Sequence, residues 1–109
     1  MKQLIKIVFT VSAFVASAAV MAGGNIEAGK EKATACAACH GATGVSASPM
    51  FPTIAGQHAD YLVHALQAYK TGKRNNPIMQ GTVATLSDED IENLSAYFAS
   101  ETGLKTLKR

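Results

Sequence analysis

Residues 36–41 read Cys-Ala-Ala-Cys-His-Gly, and no other short stretch limits the options of this chain as tightly. They contain both cysteines of the 109 residues. A disulfide between cysteines three positions apart closes a trivial loop and barely constrains the unfolded chain, so it is no structural staple. Small domains bury a modest share of their surface and usually need such a staple. The motif therefore has to run a redox cycle, hold a metal or anchor a prosthetic group, and its surroundings decide among these.

Upstream, "MKQLIKIVFTVSAFVASAAVMAGG" opens on Lys2 and Lys6, runs apolar over residues 7–20 and closes on Val20-Met21-Ala22. A basic start, a short apolar run and small residues at its end predict a secretory signal peptide, residues 1–22, cleaved after Ala22. A membrane-spanning helix needs about 20 apolar residues. This run is shorter and is diluted by Thr10, Ser12 and Ser17, so no stable membrane insertion is expected after cleavage. The cut also settles the charge. The formal net charge of +2 comes from Lys2 and Lys6; the ten basic residues less these two leave eight, against eight acidic ones. A near-neutral domain over residues 23–109 gives no sign of a nucleic-acid partner.

Within that domain three helices are predicted, separated by connections rich in Gly and Pro. The first covers residues 26–35, with Asn25 as N-cap and Glu27 in the first turn, and leads into the cysteine motif. The second covers residues 59–71, with Leu62, Ala65, Leu66 and Tyr69 on one apolar stripe and Lys70 and Gly72 closing it. The third starts at Ser87 as N-cap. Asp88, Glu89 and Asp90 load its first turn, with Asp90 at the position where Glu would complete a capping box. Ile91, Leu94, Tyr97 and Phe98 follow at helical spacing, and Gly103 is expected to stop it. Capping accounts for the acidic cluster without a metal. The stretches 41–57 and 72–86 show no strand pattern and are expected as long irregular loops. Loops of that length in a small domain are normally functional or wrapped around something.

In this setting two readings of the motif fail. Thioredoxin-like redox chemistry expects a βαβ context and a motif that opens a helix, and neither is present. A structural zinc site usually spaces its second ligand pair like the first. Cys36, Cys39 and His40 have no such second pair, and His40 directly beside Cys39 would strain to reach the same tetrahedral ion. The third reading is covalent haem. In Cys-x-x-Cys-His each cysteine adds to one haem vinyl group, and the adjacent histidine faces the iron. Secretion suits that attachment, and the haem itself becomes the missing staple.

The iron then needs a sixth ligand or keeps an open site, and the candidates are Met50, Met79, His58 and His64. His64 points off the apolar stripe of its helix and His58 sits at the helix start, so both read as surface histidines. Met50 follows His40 by only ten residues and reads as packing at the ring edge or the core. Met79, in "NNPIMQG", lies far enough along the chain to arrive on the opposite haem face. Pro77 stiffens its approach and Gly81 lets the backbone turn away. The chemistry of a soft thioether ligand favours Met79.

The residues "AGKEKATACAACHGATG", "FPTIAGQHADYL", "KRNNPIMQG" and "LSDEDIENLSAYFAS" together resemble the class I cytochromes c, nearly end to end over the domain. The resemblance is strongest to the small bacterial periplasmic type and to single domains of the dihaem cytochromes c-four. It implies an all-α cytochrome c fold, three main helices plus irregular loops wrapped around one covalently bound haem c. By the same resemblance Cys36 and Cys39 carry the thioether bonds, His40 is the proximal iron ligand and Met79 the distal one. Pro52 matches the proline whose carbonyl accepts the other N–H of that histidine. Gly29 matches the small residue where the first and last helices cross, with Tyr97 or Phe98 packing there.

The implied function is a periplasmic electron carrier, secreted through the Sec pathway and not itself an enzyme. Its implied partners are redox proteins such as a quinol–cytochrome c reductase and a terminal oxidase or other periplasmic reductase. The rival is a haem-based sensor or peroxidase-like protein with an open sixth iron site. Lys70, Lys73 and Arg74 either steer an acidic partner or simply solvate a helix end.

Overall fold

The computed structural model describes residues 10–13 and 23–107. The expected signal segment, residues 1–22, therefore lies outside the described residues except for 10–13. Five helices follow in order: α1 Ile26–Lys32, α2 Thr34–His40, α3 Ala59–Lys70, α4 Pro77–Val83 and α5 Asp88–Ser100. Among the described residues there is no strand. No helix among them is long and apolar enough to cross a membrane.

The three expected helices are present as α1, α3 and α5, and two helices of seven residues each add to them. The first helix ends at Lys32 rather than running to residue 35. Ala33 (φ −77°, ψ −6°) forms a junction at which α2 begins. The cysteine motif lies inside α2 because nothing from Thr34 to His40 breaks a helix, and three of those seven residues are alanine. Part of the expected irregular stretch 72–86 is also helical, since Asn76 caps α4 and Pro77 stands at its start. The Asn76 side chain accepts from the backbone N–H of both Ile78 and Met79 at 3.1 Å. Gly81 sits inside α4 and turns nothing away.

Helix α5 is the spine. Ser87 accepts from the Asp90 N–H at 3.0 Å while Asp90 accepts from the Ser87 N–H at 3.0 Å, so aspartate completes the capping box. Ile91 and Leu94 are essentially unexposed, at 0% and 1%. Burying such a side chain contributes about 1.5–3 kcal/mol. One side of α5 crosses α1 and the other packs on α3, which in turn carries α4.

The α1–α5 crossing has no room for a side chain at Gly29. A Cβ there would stand 2.0 Å from the Asn93 carbonyl oxygen and 2.8 Å from the Tyr97 Cβ. Tyr97, not Phe98, is the aromatic at the crossing; Phe98 lies against the next loop, near Gly44. The Asn25 N–H donates to the Asn93 side chain at 2.7 Å, fastening the start of α1 to α5. The core joins Ala33, Leu62, Leu94, Tyr97 and Phe98, with Cys36, Ile54 and Leu86 packed against it.

Gly103 does not stop α5, which ends at Ser100. Its role is steric, because a Cβ at 103 would fall 2.7 Å from the Ala55 Cβ. The stripe on α3 also divides. Leu62, Ala65 and Ala68 are buried, whereas Leu66 and Tyr69 are half-buried against a cleft.

Candidate functional site

That cleft, about 520 Å³, opens between α2, α3, α4 and the loop of residues 50–57, with Leu94, Ser95 and Phe98 of α5 contributing to its lining. Its volume falls in the range of about 300–1,000 Å³ typical of cofactor sites. Much of the wall is apolar, with Ile54, Leu62, Ala65 and Leu66 among its residues.

Helix α2 presents Cys36, Cys39 and His40 to this cleft together. Positions 36, 39 and 40 are three and four apart, the spacing that keeps side chains on one helix face. Both thiols are free. Burial pushes the Cys36 thiol above its ordinary pKa, and a hydrogen bond to the backbone offsets this only in part. Reactive redox cysteines are the opposite case, with lowered pKa in an electropositive setting. Thioredoxin-like chemistry is thus disfavoured by local electrostatics as well as by the fold.

His40 is 8% exposed, and its Nδ1 lies 2.7 Å from the Pro52 carbonyl oxygen. A proline carbonyl can only accept, so Nδ1 carries the proton and donates. With Nδ1 turned to the Pro52 carbonyl, Nε2 is the ring nitrogen left to face a metal, and the ring orientation is set by backbone. The bond is possible because the chain doubles back directly after the motif. Gly41 ends α2 at φ +89°, where a Cβ would meet the Val45 carbonyl oxygen at 2.1 Å. The Gly44 carbonyl then accepts from the N–H groups of Ile54 at 2.8 Å and Ala55 at 3.0 Å, bringing residue 52 under the histidine.

Met79 enters the same cleft from α4 and is half-buried. The other candidates separate from it. Met50 also lines the cleft but at its mouth, 81% exposed. His58 is half-buried at the start of α3 rather than exposed, and His64 is exposed; neither lines the cleft. Among the described residues, no three His, Cys, Asp or Glu side chains converge to hold a metal ion by themselves.

Of the three cations singled out in the sequence, Lys70 donates to the Leu86 carbonyl. Arg74 lies over the Tyr69 ring at 4.7 Å, and both residues line the cleft. Lys73 is exposed.

Sequence reasoning missed Arg74 as a cleft residue, and missed Ser95. The Ser95 hydroxyl is buried without a hydrogen-bond partner, although Ser95 lines the cleft. Only the position of Ser95 beside Leu94 on the buried face of α5 could have signalled it. An orphaned buried hydroxyl, two thiols, an oriented imidazole and a thioether around an apolar cleft form a donor set that fits one covalent haem c.

The family model for cytochrome c matches residues 26–101. Over 80 residues the chain is 46% identical to cytochrome c4 of Pseudomonas aeruginosa, covering 73% of this chain and 40% of that protein. Over 81 residues it is 40% identical to cytochrome c-554(548) of Halomonas halodenitrificans, covering 72% of this chain and 98% of the relative. Among solved structures, reduced recombinant cytochrome c4 from Pseudomonas stutzeri superposes with a TM-score of 0.71 at 41% identity. That match covers 74% of this chain and 47% of the other. The chain thus spans less than half the length of these two cytochrome c4 proteins and almost all of its Halomonas relative.

Proposed function

Because the chain belongs to the cytochrome c family, we propose that it is a periplasmic carrier of single electrons holding one covalent haem c. Cys36 and Cys39 are the thioether anchors, His40 the proximal iron ligand, Met79 the distal ligand and Pro52 the acceptor that orients His40. The observation that carries this reading is the single cleft shared by all four side chains, with His40 Nδ1 committed to Pro52.

When bound, the haem supplies an Fe(III)/Fe(II) couple, whose potential a thioether ligand and an apolar surrounding raise. The chain's own contribution is positional. Helix α2 fixes two anchors and an imidazole on one face, so these three groups move as one unit. The Pro52 carbonyl holds the ring in one tautomer and makes it a more basic donor. Helix α4, capped by Asn76, delivers Met79 from a separate part of the chain. The apolar wall excludes water. Were His40 and Met79 both to bind the haem iron, no open site would remain for a substrate, which suits a carrier rather than an enzyme.

The proposed partners are a quinol–cytochrome c reductase on one side and a terminal oxidase or other periplasmic reductase on the other. With Lys70 engaged by the Leu86 carbonyl, Lys73 and Arg74 are the cations placed to steer an acidic partner. Residues 1–22 are proposed as the Sec signal, so the mature protein begins at Gly23. The intact mass of the secreted protein tests that point, with one haem added to the chain from Gly23 as the expected value.

The ligand assignment is tested by replacing the two cleft methionines separately. Met79→Ala should abolish the sulfur-to-iron charge-transfer band of the oxidised protein, and Met50→Ala should keep it. The reverse pattern, or a wild-type protein without the band, overturns the assignment.

A further inference from the structure

The cleft wall beneath His40 belongs to a loop, residues 50–57, that is neither helix nor strand. Pro52 has no N–H with which to tether itself, so the position of its carbonyl depends on what holds the residues just after it. Ala55, completely buried, is where that hold is concentrated. Its N–H donates to the Gly44 carbonyl at 3.0 Å, and its carbonyl accepts from the Leu104 N–H at 2.7 Å. The Gly56 N–H donates to the Phe98 carbonyl at 2.9 Å, and the Thr106 hydroxyl lies 3.4 Å from the Gly56 carbonyl oxygen. Gly103 lies so close against Ala55 that a Cβ would meet the Ala55 carbonyl oxygen at 2.8 Å.

The segment making these contacts has little to gain from burial. Leu104 is 40% exposed and Leu107 88% exposed, and neither belongs to the buried core. Nor is it needed to finish α5, whose end is already closed by the Glu101 N–H donating to the Phe98 carbonyl at 3.2 Å. What the tail does touch is the loop that carries the histidine's hydrogen-bond acceptor.

We propose that residues 103–106 form a positioning strap: by clamping Ala55 and Gly56 they fix the loop whose Pro52 carbonyl orients His40, and so tune the proximal ligand from the far end of the chain. Leu104 and Gly103 are its positioning residues, acting through backbone alone. The inference rests on the proposal that His40 binds the haem iron.

The test separates the backbone from the side chain at one position. Leu104→Pro removes the N–H that the Ala55 carbonyl accepts, whereas Leu104→Ala keeps the N–H and removes the apolar side chain. In the holoprotein, two readouts follow the Pro52–His40 bond and not general stability: solvent exchange of the His40 Nδ1 proton by NMR, and the reduction potential. Leu104→Pro should speed that exchange by about two- to tenfold, the factor one net hydrogen bond represents. It should also raise the potential, because a less firmly held imidazole is a less basic ligand. Leu104→Ala should move neither.

Should Leu104→Pro fail to fold, Gly103→Ala disturbs the same clamp by a different route, pressing a Cβ on Ala55, with the same two outcomes expected. Unchanged exchange and potential in a folded Leu104→Pro or Gly103→Ala protein overturn the strap, whatever happens to its melting temperature. A wild-type holoprotein with no haem-shifted His40 signal overturns the ligand assignment first, and the strap with it.

Discussion

Gly29→Ala and Gly81→Ala are the same substitution inside two helices, and the structure predicts opposite outcomes. Intrinsic helix propensity favours alanine at both sites by about 0.5–1 kcal/mol. At Gly81 nothing lies within 4 Å of the added Cβ and the residue is exposed, so that gain should appear almost unreduced. At Gly29 the new Cβ would sit 2.0 Å from the Asn93 carbonyl oxygen, and ordinary contact begins at 3.4 Å, so α1 must withdraw from α5 by about 1.4 Å. Overpacking of this kind costs about 1–3 kcal/mol. The withdrawal also breaks the 2.7 Å bond from the Asn25 N–H to the Asn93 side chain, a further loss of about 1 kcal/mol.

Net of propensity, Gly29→Ala should destabilise by about 1–3 kcal/mol. For a domain of this size each kcal/mol moves the melting temperature by about 4–8 °C. Thermal unfolding of the two holoproteins, followed by circular dichroism, should therefore show Gly29→Ala melting well below wild type and Gly81→Ala a few degrees above it. Two shifts of the same sign would refute the reasoning, since only the crossing distinguishes the sites.

Three further outcomes follow from the same geometry. The Ser87 N–H holds the Asp90 carboxyl below its ordinary pKa, with smaller help from Lys32 at 3.5 Å. The depressed folded value means its contribution is complete above the unfolded pKa of about 3.9 and is lost as the pH falls through the lower folded value. Asp90→Asn should accordingly be less stable than wild type at neutral pH and approach it in acid, as parallel urea titrations at pH 7 and pH 3 would show. Leu94→Ala, at a side chain 1% exposed, should cost about 2–5 kcal/mol in chemical denaturation. Lys73→Glu should slow electron transfer to an acidic partner at low ionic strength and lose that effect in high salt; equal rates at low salt would remove Lys73 from the docking surface.

Local features were readable wherever one stretch of chain explains itself. The capping box of α5, its buried positions 91, 94, 97 and 98, and the Asn25 cap of α1 all follow from neighbouring residues. The choice of haem over zinc for Cys36, Cys39 and His40 is also readable in the sequence, from the spacing of the motif and the lack of a second ligand pair along the chain. Features held by distant contacts were not readable. Helix α4 has a proline at its start and a glycine in its middle, too little propensity to announce seven helical residues. It exists through the Asn76 cap and its packing on α3. Gly103 looked like a helix stop because glycine commonly is one, while its actual constraint is Ala55, 48 positions earlier. In the sequence only its sulfur and its place in the chain mark Met79. Its shared cleft with His40 belongs to the fold.

The carrier reading stands on the proposal that His40 and Met79 would both bind the haem iron and leave it no open site. Exposure of the reduced holoprotein to carbon monoxide tests it most directly. The account predicts an unchanged absorption spectrum at neutral pH; prompt formation of a carbon monoxide adduct would contradict it and favour the open-site, sensor-like alternative.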